Sequence, residues 1–214
     1  MVKIAPSILA ADFSCLREEI QRVEKGGADI IHVDIMDGHF VPNLTMGPVV
    51  VKALRNITDL FLDVHLMIEF PEKFIQPFAD AGAENITVHM EACRERLDDI
   101  LGRIDSIGIR KGVSIKPATP VSSIEPLKGR INQFLIMSVE PGFGGQEFME
   151  SSIEKISRAR GILADTAEIE VDGGITEANA SRIVNAGADI LVAGTAIFKS
   201  KDAAETIRKM KESS

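Results

Sequence analysis

Short apolar runs alternate with amphipathic segments along the chain, and this alternation constrains the fold more than any other feature of the sequence. Eight strand-like runs can be counted: Lys3–Leu9, Ile30–Met36, Phe61–Met67, Asn85–Met90, Gly112–Lys116, Phe134–Val139, Ile169–Asp172 and Ile190–Gly194. Strands that alternate with helices form a parallel sheet, and eight such units close into a barrel. We therefore predict a (β/α)8 TIM barrel, with residues 1–214 as a single domain.

Helix signals lie between several of these runs. A helix is predicted over Ser14–Lys25 with Ser14 as a possible N-cap, over Pro71–Ala81 after an opening proline, and over Glu177–Ala186 after a possible Thr176 cap. A weak repeat places a glycine after a helix and an acid just before a strand, at Gly27–Ile30, Gly82–Ile86 and Gly187–Ile190. Glycine at that point fits the left-handed residue that ends many helices.

Charge and targeting signals narrow the class of partner. The 24 basic and 32 acidic residues give a net charge of −8 without blocks of like charge, which argues against nucleic acid or an anionic membrane. No apolar run approaches the ~20 residues of a membrane span, and no signal-peptide pattern opens the chain. We expect a soluble cytoplasmic protein that is still able to bind a small anion through backbone amides.

Four metal-capable side chains fall at the ends of predicted strands. His32 and Asp34 are two residues apart, so in a strand they share one face, and His65 and Asp172 end two further runs. The site of a barrel forms at the C-terminal ends of its strands, where these residues fall. Two imidazoles and two carboxylates suit Zn²⁺, Mn²⁺, Fe²⁺ or Co²⁺ better than Mg²⁺ or Ca²⁺.

Gly-rich turns follow the last three predicted strands. They are Pro141–Gln146, Asp172–Ile175 and Ala193–Ala196. Glycine allows backbone amides to approach an anion closely, and the usual phosphate site of a barrel follows strands seven and eight. These turns predict a phosphorylated substrate.

Other side chains near the strand ends are less specific. Met36, Met67 and Met137 are ordinary core residues by default, although together they could form an apolar floor to the site. His39, His89 and Glu91 also lie near strand ends, and their spacing indicates no role beyond a structural or supporting one.

Several long motifs resemble the ribulose-phosphate 3-epimerase family, and the resemblance covers nearly the whole chain. The matching segments are Ser7–Phe13, His32–Asn43, Asp63–Ile68, Lys116–Pro120, Met137–Gln146 and Val171–Ile175. The resemblance implies one divalent metal ion per subunit, held by His32, Asp34, His65 and Asp172. It implies substrate contacts from Ser7, His65, Gly142, Phe143, Gly144, Gly145, Asp172, Gly173, Gly174, Gly194 and Thr195. It also implies a homo-oligomer.

The reaction implied by the resemblance interconverts D-ribulose 5-phosphate and D-xylulose 5-phosphate through an enediolate. Asp34 would remove the proton at carbon 3 of D-ribulose 5-phosphate, and Asp172 would return a proton to the opposite face, with the roles exchanged in reverse. A carboxylate with a pKa of ~4 is a weak base for such a proton, so a metal bound to the substrate oxygens would supply most of the stabilisation. The Gly-rich loop after strand six is expected to close over the substrate.

Three other functions remain open from the sequence. A 3-epimerase for a longer substrate, such as D-allulose 6-phosphate, would use the same metal and the same two acids. Lyases of phosphate-binding barrels carry a lysine in an Asp-x-Lys-x-x-Asp pattern, whereas this chain has His65 at the lysine position and Ile68 at the second acid. A non-catalytic sugar-phosphate binder is expected to lack a base, yet Asp34 and Asp172 are both present.

Overall fold

The computed structural model describes residues 1–212 and contains eight parallel strands in one sheet. The strands are β1 (Lys3–Pro6), β2 (Ile30–Met36), β3 (Phe61–Met67), β4 (Asn85–His89), β5 (Arg110–Ile115), β6 (Gln133–Met137), β7 (Glu168–Asp172) and β8 (Ile190–Ala193). Their order around the sheet is β1-β8-β7-β6-β5-β4-β3-β2. A parallel bridge between Ser7 and His32 joins the two edge strands and closes the barrel. The predicted TIM barrel is confirmed.

The α-helices pack around the barrel. Within residues 1–212 they are α1 (Leu16–Lys25), α2 (Pro48–Arg55), α3 (Ile75–Asp80), α4 (Met90–Cys93), α5 (Leu97–Ile107), α6 (Ser152–Leu163), α7 (Glu177–Asn185), α8 (Thr195–Phe198) and α9 (Ala203–Lys211). Thr176 and Asn179 form a capping box at the start of α7, which confirms the predicted cap. None of these helices is long and apolar enough to cross a membrane.

Three helix predictions need correction. Ser14 is not an N-cap: it lies within a 3₁₀ turn, Phe13–Cys15, that Asp12 caps. The predicted helix Pro71–Ala81 divides at Phe74 into a 3₁₀ turn and α3. No α-helix lies between β5 and β6 in the described chain, because the segment Val121–Leu127 forms 3₁₀ turns and contains Pro126, which cannot donate a helical hydrogen bond.

The weak repeat has a structural role. Its glycines, Gly27, Gly82 and Gly187, have φ values of +91°, +106° and +118°, a left-handed backbone that favours glycine. Each acid of the repeat accepts the backbone N–H of a residue in the preceding strand: Asp29 from Ile4, Glu84 from Leu62, and Asp189 from Ile169. The repeat therefore fixes the start of one strand against its neighbour at the N-terminal end of the barrel.

Candidate active site

Four side chains converge at the C-terminal end of the barrel. His32 and Asp34 come from β2, His65 comes from β3, and Asp172 ends β7. Each offers one potential ligand atom, and these four atoms all lie within 4.8 Å of one another. The residues selected from the sequence as a metal site are therefore brought together by the barrel.

The surroundings of His32 fit a metal ligand. Its Nδ1 donates to Asp63 Oδ2 at 2.8 Å, which leaves Nε2 facing Asp34 Oδ1 at 3.3 Å. His32 is fully buried, and its Nε2 has no hydrogen-bond partner. An unpaired buried nitrogen is costly, and a carboxylate that holds the opposite ring nitrogen is the usual support of a metal-binding histidine. The donor set therefore suits a divalent transition metal.

The carboxylates of the site favour a proton or a cation beside them. Burial disfavours a charged His32, but Asp34 and Glu170 outweigh that effect and hold its pKa well above its ordinary value. Burial likewise disfavours ionised Asp34, yet His32 lowers its pKa below the usual range. Burial and the charge of Asp34 raise the pKa of Asp172 to about 7. Without a metal, the two carboxyls thus prefer opposite protonation states.

His65 lies behind Asp34, at the head of a chain of side chains. Its Nδ1 is 3.0 Å from Asp34 Oδ1, and its Nε2 is 2.9 Å from Nε2 of His89. His89 Nδ1 lies 3.2 Å from Glu91 Oε2. From the sequence, His89 and Glu91 were expected to have no role beyond a structural or supporting one, and their spacing gives no sign that they form a chain with His65.

A cavity of about 760 Å³ opens above the four residues. Of the predicted substrate contacts, those that line it are Ser7, Gly142, Phe143, Gly144, Gly145, Asp172, Gly173, Gly174, Gly194 and Thr195. Asp34 also faces the cavity, and Met36, Met67 and Met137 contribute apolar surface to its wall. His65, a further predicted contact, is buried and does not line it.

Backbone crowding explains two of the glycines. Gly174 has a φ of +66°, and a Cβ at this position would lie 2.3 Å from the backbone N of Phe148. A Cβ on Gly173, at a φ of +123°, would lie 2.6 Å from a methyl group of Val139. These glycines let the turn after β7 pack directly under the loop that follows β6.

Two cavity residues, Asn43 and Lys199, were missed from the sequence, and so was one contact of Ser7. Ser7 was predicted as a substrate contact, but its Oγ also donates to Asp34 Oδ2 at 2.6 Å. Asn43 lies in the wall and donates to the carbonyl of Gly142 at 2.7 Å, which ties the loop after β2 to the loop after β6. Lys199 is the cation of the described wall. Its position directly after α8 carries no local sequence signal.

A polar layer beneath the site was also missed. Asp63 and Glu170 are fully buried inside the barrel, and Gln133 donates to a carboxylate oxygen of each. Side chains two residues apart in a strand share a face, and this alternation would have revealed both acids. Asp63 precedes His65 by two residues, and Glu170 precedes Asp172 by two. The alternation that identifies a metal ligand in a strand therefore also predicts the side chain that lies one layer below it inside the barrel.

Comparison with known proteins places the chain in a family. The model of the ribulose-phosphate 3 epimerase family matches residues 3–198. The chain is 47% identical to "Ribulose-phosphate 3-epimerase" of Bacillus subtilis, with 100% of both chains covered. It is 50% identical to "Ribulose-5-phosphate-3-epimerase, chloroplastic" of Arabidopsis thaliana, over 98% of this chain and 76% of the relative.

Solved structures share the fold at low sequence identity. A 3-hexulose-6-phosphate synthase from Salmonella typhimurium has a TM-score of 0.75 at 16% identity, covering 99% of this chain and 98% of that one. KGPDC from Streptococcus mutans, solved as a ligand complex, has a TM-score of 0.76 at 14% identity over 99% and 96% of the two chains. The sequence matches are far closer than these structural ones and extend over the whole barrel, and the chain belongs to the ribulose-phosphate 3-epimerase family, a family of enzymes.

Proposed function

We propose that this protein is a metal-dependent epimerase that interconverts D-ribulose 5-phosphate and D-xylulose 5-phosphate at carbon 3. The observation that carries the proposal is the pair Asp34 and Asp172, two carboxyls that face one cavity from strands three positions apart around the barrel. Inversion of a carbon needs a base on one face and an acid on the other. Family membership adds the substrate, because the relatives carry its name.

The metal would be held by His32, Asp34, His65 and Asp172. His32 would bind through Nε2, because its Nδ1 is engaged by Asp63. His65 would bind through Nδ1, which is the nitrogen that faces Asp34. A divalent ion such as Zn²⁺, Fe²⁺, Mn²⁺ or Co²⁺ polarises bound ketone and hydroxyl oxygens and stabilises the negative charge that develops when carbon 3 loses its proton.

The two carboxyls would carry out the proton transfers. Asp34, ionised beside His32, would remove the proton from carbon 3 of D-ribulose 5-phosphate to give an enediolate. Asp172, which lines the same cavity, would deliver a proton to the opposite face of carbon 3. The hydrogen bond from Ser7 to Asp34 Oδ2 orients the carboxylate towards the cavity.

The phosphate would lie among the Gly-rich turns. Gly173, Gly174, Gly194 and Thr195 bring backbone from two neighbouring turns to the same wall of the cavity, next to the start of α8. Backbone amides and a nearby cation are suitable partners for a phosphate group, and Lys199 lies in the same wall. The charged end of the substrate would then lie opposite the buried histidines.

The direct test is NMR of D-ribulose 5-phosphate incubated with the metal-loaded protein in deuterated water. We expect D-xylulose 5-phosphate that carries deuterium at carbon 3, because the proton passes through exchangeable carboxyls. The same experiment with D-allulose 6-phosphate measures the preference between a pentose and a hexose phosphate. Absence of both product and exchange with D-ribulose 5-phosphate would refute the proposal.

A further inference from the structure

A chain of polar side chains connects the proposed metal site, through the neighbouring strands β3 and β4, to the start of α4. It runs from Asp34 Oδ1 to His65 Nδ1 at 3.0 Å, from His65 Nε2 to His89 Nε2 at 2.9 Å, and from His89 Nδ1 to Glu91 Oε2 at 3.2 Å. Both histidine rings are fully buried. Since a neutral imidazole has one donor and one acceptor nitrogen, the proton position on each ring is determined by its neighbours.

Glu91 determines the proton positions along this chain, because its carboxylate can only accept hydrogen bonds. The backbone N–H of Lys116 donates to Oε1 at 2.7 Å, and the Thr119 hydroxyl donates to the same oxygen. His89 must then donate from Nδ1 to Oε2, which leaves its Nε2 as an acceptor. His65 must in turn donate from Nε2, and its Nδ1 therefore carries a lone pair directed towards the site.

We propose that Glu91 is a positioning residue that acts through His89 to fix the tautomer of His65, so that the Nδ1 lone pair points towards Asp34. The inference deepens the proposed function, because it rests on His65 as a metal ligand. It also explains a contact that is otherwise unfavourable: without a proton on His65 Nδ1, two acceptor atoms face each other at 3.0 Å. A cation between them would remove the conflict.

The segment Lys116–Pro120 supplies the support for this chain, although the proposed chemistry gives it no role. Lys155 Nζ donates to the carbonyl oxygens of Pro117 and Thr119 at 2.6 and 2.9 Å, and so holds the turn against α6. The Lys116 ammonium lies 4.0 Å from the centre of the Phe40 ring. Phe40 in turn packs on His89, with 4.8 Å between the ring centres.

Glu91→Gln tests the proposal because it changes one oxygen into a donor. The Lys116 N–H requires the remaining amide oxygen, so the new NH₂ group faces His89 Nδ1. His89 would then accept at Nδ1 and carry its proton on Nε2. His65 would accept a hydrogen bond from that N–H at its Nε2 and carry its own proton on Nδ1, where it donates to Asp34 and blocks the proposed ligand atom.

Two measurements separate this effect from a loss of structure. Long-range ¹H–¹⁵N spectra distinguish Nδ1–H from Nε2–H rings, and the chain has only four histidines to assign. We expect the wild-type His89 proton on Nδ1 and the Glu91→Gln proton on Nε2, in the absence of added metal. Chelator competition with Zn²⁺ should show that the variant binds the ion about 10- to 100-fold more weakly, the usual effect of a lost supporting partner.

Thr119→Val is the matched control. It removes a hydrogen bond to the same Glu91 oxygen but leaves the carboxylate, so we expect the wild-type tautomer at His89 and Zn²⁺ affinity within a few-fold of wild type. A wild-type His89 proton on Nε2, or a Glu91→Gln variant with wild-type affinity, would overturn the inference. Wild-type protein that binds no Zn²⁺ would instead refute the metal site, while the tautomer of His89 would still test the role of Glu91.

Discussion

Asp34 and Asp172 face the same cavity, but their surroundings differ. Asp34 accepts a hydrogen bond from Ser7 and lies against two histidines, whereas the charges near Asp172 are mostly those of other acids. The same side chain is thus prepared for removal of a proton on β2 and for delivery of one on β7. Environment, and not residue type, separates the two roles.

This difference predicts that the two asparagine variants fail in complementary ways. At saturating metal, Asp172→Asn should lower turnover by at least about 10²- to 10⁴-fold, because it removes one proton-transfer group. It should still exchange the carbon 3 hydrogen of D-ribulose 5-phosphate with deuterated water through Asp34. Asp34→Asn should exchange the carbon 3 hydrogen of D-xylulose 5-phosphate only, through Asp172. ¹H NMR follows the exchange of each sugar phosphate. A metal-loaded variant that exchanges the carbon 3 hydrogen of both would contradict the assignment of one acid to each face of the substrate.

Gly174 gives a second prediction at the scale of the residue. A Cβ there would meet the backbone of Phe148 at 2.3 Å in a left-handed conformation, so Gly174→Ala should destabilise the fold by about 2 kcal/mol or more. Gly161 is the matched control, since it lies within α6 and a Cβ there would contact nothing within 4 Å. Gly161→Ala should stabilise by about 0.5–1 kcal/mol. Urea unfolding midpoints compare the two, and equal effects would be inconsistent with this account.

At the scale of the element, the strands were easier to predict than the helices. β2 and β3 have the predicted bounds, because five of the seven residues in each strand are apolar and only one His and one Asp interrupt the run. Lys3–Leu9 was too long, since Ser7 accepts the N–H of Leu9 and turns the chain into a 3₁₀ segment. That hydrogen bond depends on a local backbone geometry that an apolar pattern does not encode.

The residues of the candidate site could be predicted only where they lie in a strand that the apolar pattern identifies. His32, Asp34, His65 and Asp172 could be selected because they lie in or end recognisable strands. His89 ends β4 in the same way, but its contact with His65 depends on the pairing of β4 with β3. Such contacts between strands follow from register, which an isolated strand pattern leaves undetermined.

The repeat of glycine and acid predicts where the barrel is most easily weakened at its N-terminal end. Asp189 accepts the N–H of Ile169 at 2.8 Å and pairs with Arg160, so Asp189→Ala leaves a strand donor unpaired and removes the carboxylate that faces a guanidinium. We expect a loss of about 1–3 kcal/mol in the free energy of unfolding. Glu125→Ala, at an exposed acid, is the control and should change it by less than about 0.5 kcal/mol. Urea titrations that show no difference between them would contradict the structural role of the repeat.

At the scale of the whole molecule, the acids of the site link metal binding to global stability. Asp34, Asp63, Glu170 and Asp172 bring four carboxyl groups into or beside one buried volume. Protons on His32 and Asp172 partly neutralise them when no metal is present. A bound divalent ion would replace those protons, so its binding should release them and stabilise the fold by mass action.

The sign of the pH dependence follows from Asp172, whose pKa is about 7 in the folded chain and about 4 when unfolded. Without metal, this carboxyl favours the folded state most when it is protonated, and that contribution is lost as the pH rises from about 4 to about 7. A metal needs the ionised form, so the rise in Tm produced by Zn²⁺ should grow between pH 6 and pH 8, by differential scanning calorimetry at fixed free Zn²⁺. Asp172→Asn should flatten this dependence, although the proton of His32 and that of Glu170, whose pKa burial and Asp63 raise to about 8, will keep part of it. A Zn²⁺-induced shift that shrinks towards pH 8 in the wild type would show that Asp172 does not exchange its proton for the metal.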